Sequence, residues 1–207
     1  MTDWRPQLTL ANRITISRFL LIPIFLLLTL YYMISVSDNA ANELLRWAAV
    51  LVFLITCLTD ALDGYFARVR HERTRLGALL DPLADKALLL SGLLLLTGPW
   101  GRIFQPHLPV WYVLLVISRD ALLILGAVVI HFTVGHMEVR PRAAGKLATF
   151  FQMGLILWVL SGGPHRGFAW VLASAAACTL ISAFQYVADG ARQLEKAHVH
   201  EKPTSPG

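Results

Sequence analysis

The sequence predicts an all-α integral membrane protein of six transmembrane helices, preceded by a short interfacial segment. Two observations carry that reading. Hydrophobic residues make up 56% of the 207 residues and charged ones only 15%, with a mean hydropathy of +0.59, beyond what a soluble domain of this size carries. The apolar residues also gather into long runs of the length a helix needs to cross the hydrocarbon layer.

Taken in order, the first run is Ile14 to Val36. Before it, MTDWRPQLTLANR sets Trp4 among a few charges, which suits the membrane interface. The run is too long for the core of a signal peptide and no small-residue cleavage site follows it, so it reads as a retained helix. Leu44 to Ala67 and Ala78 to Leu96 give the second and third spans, and Val110 to Val134 the fourth. The fifth, Leu147 to Leu160, is short unless it starts back near Ala143, and Phe168 to Ala188 is the sixth. Residues 1–194 are thus expected to form one membrane domain with short connections, and 195–207, ending EKPTSPG, a disordered polar tail. Cys57 and Cys178 both fall inside spans, where they read as small apolar residues and not as a disulfide or a thiolate metal site.

Lys and Arg set the orientation. With both termini on one side, that side collects most of the basic residues and leaves only Arg46, Arg102 and Arg166 opposite, with Arg18, Lys86 and Arg119 at membrane depth. Both termini are therefore expected to be cytoplasmic, in a membrane of the bacterial inner (cytoplasmic) type. The net charge of +5 follows from this topology and from attraction to anionic lipid headgroups. No basic motif interleaved with aromatics is present, so nucleic acid is not an expected partner.

The chemistry lies in TDALDGYFARVRHERTRLGALLDPLADK, which holds Asp60, Asp63, Asp81 and Asp85. Asp60 and Asp63 stand one helical turn apart near the cytoplasmic end of the second span, and Asp81 and Asp85 one turn apart at the start of the third. The two pairs flank a short connection and are set beside Gly64, Ala67 and Gly77, residues that leave room for a ligand. Mutual repulsion in an apolar setting favours neutral acids unless a cation is present. Mg²⁺ or Mn²⁺ suits such a site, since both choose carboxylate oxygen and keep positions open for water or phosphate. Two such ions would organise a diphosphate. The alternative for paired intramembrane acids is ion or proton transport.

Written out, the stretch is D-x2-D-G-x2-A-R-x8-G-x3-D-x3-D, filled by Asp60, Asp63, Gly64, Ala67, Arg68, Gly77, Asp81 and Asp85. This pattern resembles the signature of the CDP-alcohol phosphatidyltransferase family at every position, without insertion. The resemblance implies a six-helix membrane domain, usually a homodimer, with a two-metal site open to the cytoplasm. It implies CDP-diacylglycerol as donor, attack of an acceptor hydroxyl on the β-phosphorus, and release of CMP. Carried over by position, Asp60, Asp63 and Asp81 are metal ligands, and Asp85 is a metal contact and the general base, which requires that it touch the acceptor hydroxyl directly. Asp60, Gly64, Ala67, Arg68 and Gly77 belong to the CDP-lipid site, the glycines allowing close approach of cytosine and ribose.

Asn12, Thr15 and Arg18 in ANRITISRF resemble the family's N-x-x-T-x-x-R element on the nucleotide diphosphate side, with Ala11 where the family usually has Pro. Capping of the first helix is the structural alternative for Asn12 and Thr15. On the acceptor side, Arg119 in VISRDALLI is a guanidinium at membrane depth, and Lys146 in RPRAAGKLATFFQ enters the fifth span near Arg140 and Arg142. These four are the expected acceptor-phosphate ligands. A bland alternative pairs Arg119 with Asp120 and leaves the other three as topology signals.

Within the family, Gly145, Lys146, Thr149 and Gln152 form a G-K-x-x-T-x-x-Q element that resembles the branch using glycerol 3-phosphate as acceptor, whereas Ser118, Arg119 and Asp120 read S-R-D, more like the branch using phosphatidylglycerol. The expected reaction is transfer of a phosphatidyl group from CDP-diacylglycerol to glycerol 3-phosphate, with cardiolipin synthesis from phosphatidylglycerol, or transfer to another alcohol, as the alternatives. A cation-coupled transporter, the alternative from another class, predicts acids near the midplane of several spans and broken helices. Here they cluster at one interface.

Overall fold

The computed structural model describes the backbone of residues 10–70, 75–134 and 143–200, and the side chains of 17–59, 83–99, 101–129, 132 and 143–192. Six α-helices account for nearly all of it: α1 (Leu10–Ser37), α2 (Glu43–Arg70), α3 (Arg75–Thr97), α4 (Val110–Val134), α5 (Ala143–Leu160) and α6 (His165–His200). A short 3₁₀ turn, Pro99–Ile103, follows α3. Among the described residues, four helices are long and apolar enough to cross a membrane: Ser17–Ser37, Val110–Val129, Ala143–Leu160 and His165–Arg192. Large apolar side chains on them face outward, Trp170 at 81% and Phe184 at 77% exposure, as expected of lipid-facing surface. The N-terminal interfacial segment expected around Trp4 lies outside the described residues. Helix α6 runs to His200, past the start of the expected polar tail at 195, and 201–207 are outside the described residues.

The chain divides into two compact units, one formed by residues 1–108 and 156–165, the other by 109–155 and 166–207. In the first, α1 packs against α2 and α3. Phe25 of α1 meets Phe53 of α2 at 5.3 Å between ring centroids, and both are fully buried. On α3, Gly92 lets the Phe25 ring and Ile156 come within 3.6 and 3.2 Å of where a Cβ would stand. The ends are closed by local chemistry. After α1, Asn39 takes φ 54°, with Asn39 N–H bonded to Val36 O and Ala40 N–H to Ser35 O, a Schellman stop. Asn42 then caps α2, its Oδ1 accepting from Leu44 N–H at 3.1 Å. Gly162, at φ 68°, ends α5 with the same pattern, Gly162 N–H to Val159 O and Gly163 N–H to Trp158 O. Arg46, paired with Glu43 at 3.0 Å and lying over Tyr32 and Trp47, reaches this turn.

In the second unit a tyrosine ties α6 to α4. Tyr186 of α6 donates its hydroxyl to the carbonyl of Leu123 on α4 at 3.0 Å. Its ring lies so close to Gly126 that a Cβ there would stand 2.9 Å from Cε1. The regular part of α6 starts at Phe168, because Gly167 at φ 94° and Arg166 at ψ 122° break the helix just before it. The close Gly126 contact gives a packing prediction. Gly126→Val should lower the melting temperature through overpacking of about 1 to 3 kcal/mol, and adding Tyr186→Ala to the same chain should recover part of that loss. An unchanged melting temperature in the single variant would show that this contact does not constrain the fold.

Candidate active site

The acids fall on continuous helix. Asp60 and Asp63 lie in the last three turns of α2, with Gly64, Ala67 and Arg68, and Gly77, Asp81 and Asp85 lie in the first three turns of α3. Spacings of three and four residues along unbroken helix set the members of each pair on a shared face. The side chains of Asp60, Asp63, Ala67, Arg68 and Asp81, and the surroundings of Gly64 and Gly77, lie outside the described residues. Asp85 is half-buried. An all-oxygen donor set of carboxylates, presented from two helices joined by a short connection, fits a hard divalent cation and does not fit a soft one.

Helix α1 begins at Leu10, so Asn12 and Thr15 stand inside it and not at its cap; their side chains are outside the described residues. Arg18, two turns into α1, is buried, with 2% of its surface exposed. A guanidinium at that depth demands electrostatic compensation.

Arg119 of α4 is buried at 7% exposure. Its Nη1 donates to Asp120 Oδ1 at 2.7 Å, the pairing expected in the bland reading, and its Nη2 donates to the hydroxyl of Ser182 on α6 at 2.8 Å. The guanidinium also lies against the first turn of α5, since a Cβ on Gly145 would stand 3.2 Å from Nη2. That turn carries the positive end of the α5 dipole, a favourable environment for an anion. Lys146, the next residue, is exposed, and Arg140 and Arg142 lie outside the described residues. Of the G-K-x-x-T-x-x-Q element, Thr149 bonds back to Gly145 O at 3.1 Å, and Gln152 is buried with its Nε2 lacking a partner among the described residues. Sequence reasoning missed Ser182. It sits in an apolar run 63 residues from Arg119, and no spacing rule ties the two.

Comparison with known proteins agrees with the signature. The profile of the CDP-alcohol phosphatidyltransferase family matches residues 8–182, running through both units and all six helices. A "Probable phosphatidylglycerophosphate synthase" of Mycobacterium tuberculosis is 34% identical over 189 residues, covering 89% of this chain and 83% of that protein. A "CDP-diacylglycerol–glycerol-3-phosphate 3-phosphatidyltransferase" of Bacillus subtilis is 34% identical, covering 70% of this chain and 72% of that one. A "Cardiolipin synthase (CMP-forming)" of Streptomyces coelicolor is 32% identical over 82% of this chain and 71% of its own length. With its signature aspartates on α2 and α3 and the family profile matched across six helices, this chain belongs to the CDP-alcohol phosphatidyltransferase family.

Proposed function

We propose that the protein transfers the phosphatidyl group of CDP-diacylglycerol to the hydroxyl of glycerol 3-phosphate, forming phosphatidylglycerophosphate and releasing CMP. The observation that carries the choice of acceptor is the similarity to the Mycobacterium tuberculosis protein, which extends over 89% of this chain. The similarity to the Streptomyces cardiolipin synthase and the Ser118-Arg119-Asp120 triplet favour phosphatidylglycerol as the second reading. Both acceptors present a phosphate beside a free hydroxyl.

In the reaction the acceptor oxygen forms a bond to the β-phosphorus, the bond from that phosphorus to CMP breaks, and the hydroxyl proton passes to Asp85. Two divalent ions, Mg²⁺ or Mn²⁺, when bound by Asp60, Asp63, Asp81 and Asp85, supply charge neutralisation on the diphosphate. Phosphoryl transfer asks the protein mainly to position and to neutralise. Asn12, Thr15 and Arg18 of α1, with Asp60, Gly64, Ala67, Arg68 and Gly77, hold the CDP-lipid. Arg119, Lys146, Arg140 and Arg142 hold the acceptor phosphate, supported by the seat of the Arg119 guanidinium at the first turn of α5.

All six helices span the membrane in this reading, α2 and α3 included, with both termini and the site on the cytoplasmic side of a bacterial inner membrane. The bias of Lys and Arg supports that orientation. Membrane lipids cover the exposed apolar faces, and the chain works as a homodimer, as the family resemblance implies.

The test of function is an acceptor panel with purified protein, CDP-diacylglycerol and Mg²⁺ or Mn²⁺, reading CMP and the mass of the lipid product. Phosphatidylglycerophosphate with glycerol 3-phosphate is the expected result, and cardiolipin formed from phosphatidylglycerol would select the second reading. Asp60→Asn, Asp63→Asn and Asp81→Asn should each lower turnover by several orders of magnitude while the protein still inserts and folds, since helix shape is kept and a ligand charge is lost. Wild-type turnover in any of them would remove that residue from the metal set. Asp85→Asn should keep CDP-lipid binding and lose turnover, as befits a group needed in the transition state; simultaneous loss of binding would make Asp85 a ligand only.

A further inference from the structure

Arg119 has its planar fork gripped from two directions. Asp120, its neighbour on α4, accepts from Nη1 at 2.7 Å, and Ser182, from α6, accepts from Nη2 at 2.8 Å. A guanidinium carries five N–H donors and no acceptor, so these two bonds fix its plane and use two of the five. Of the rest, Nε–H is buried and has no partner among the described residues. An orphaned buried donor is costly, about 1 to 3 kcal/mol, and a purely structural brace has no use for one. A residue waiting for an oxyanion does.

Gly145 acts on the same nitrogen that Ser182 holds. A Cβ at that position would stand 3.2 Å from Arg119 Nη2 and 3.5 Å from Ser182 Oγ, the first of these tighter than ordinary packing contact. A side chain there would ask the amino group to give by a few tenths of an ångström, shifting it against its bond to Ser182. Gly145 and Ser182 come from separate helices, α5 and α6, and neither is charged. They therefore set where the guanidinium sits without adding charge of their own to the site.

We propose that Ser182 and Gly145 are positioning residues of the acceptor site: the Ser182 hydroxyl anchors Nη2 of Arg119, and the absent side chain of Gly145 keeps the guanidinium seated at the start of α5, with its remaining donors free for the acceptor phosphate. The inference rests on the reading of Arg119 as an acceptor-phosphate ligand. It extends that reading to two uncharged residues that fix the ligand's aim.

The test is steady-state kinetics of the purified full chain with CDP-diacylglycerol and glycerol 3-phosphate, measuring both KM values and Tm for Arg119→Ala, Ser182→Ala, Ser182→Thr and Gly145→Ala. Arg119→Ala should raise the acceptor KM about ten- to hundredfold, the loss of a charge-assisted contact. Ser182→Ala and Gly145→Ala should each raise it about three- to tenfold, with the KM for CDP-diacylglycerol little changed, and Ser182→Thr, which keeps the hydroxyl, should return most of the loss. If Arg119→Ala raises the acceptor KM and neither Ser182→Ala nor Gly145→Ala does, the positioning role is overturned while the acceptor reading stands. If both KM values and Tm move together in the Ser182 and Gly145 variants, these residues are braces and the role is again overturned. An unchanged acceptor KM in Arg119→Ala overturns the inference and the acceptor reading together.

Discussion

Charge inside an apolar chain has to be compensated, and this requirement governs both the acids and the bases of the protein. A chain that is 56% hydrophobic has little use for carboxylates at the ends of its helices unless something positive meets them. The acids stand at one-turn spacing on α2 and on α3, and in the proposed site their oxygens would meet divalent cations. The connection between those helices is short, which keeps the two pairs in one neighbourhood of the chain. Helix α1 supports both helices through packed apolar contacts such as Phe25 against Phe53 and Gly92. The same helix carries the buried Arg18 near its start.

Arg119 illustrates the opposite case, a buried cation compensated within the fold. Asp120 supplies the charge and Ser182 a neutral acceptor, so the guanidinium is oriented before any ligand arrives. In the proposed acceptor role, such orientation would lower the cost of binding an anion, because little freedom is left to lose. The Asp120 pairing expected in the bland reading is present, and it is compatible with the proposed phosphate role of Arg119. Pairing with Asp120 does not use up the fork: Nη2 bonds Ser182, and Nε–H has no partner among the described residues.

Much of the helical framework was legible because apolar run length is a strong signal. Helix α4 covers Val110–Val134, as the run does. Helix α5 starts at Ala143, four residues before the apolar run proper, since Ala and Gly extend a helix without standing out as apolar. Polar residues concealed the ends elsewhere: α1 reaches back to Leu10 through ANR, and α2 and α3 extend to Arg70 and Arg75. Of the six spans read from the sequence, four are long and apolar enough among the described residues. The Schellman stops at Asn39 and Gly162 and the 3₁₀ turn after α3 are set by single backbone conformations, which run length does not report. The placement of the acids toward the adjoining ends of α2 and α3 was legible from the sequence, whereas the Arg119–Ser182 bond was not, because a serine in an apolar span looks the same whether or not an arginine on another helix needs it.

The central claim is that the aspartates of α2 and α3 hold divalent cations, and the most direct measurement is Mn²⁺ binding by the purified protein, followed by electron paramagnetic resonance in the presence of CDP-diacylglycerol. The account predicts two bound Mn²⁺ per chain in the wild type, and a loss of at least one in Asp60→Asn, Asp63→Asn or Asp81→Asn with the helical fold intact. Wild-type Mn²⁺ stoichiometry and affinity retained in all three variants would contradict it.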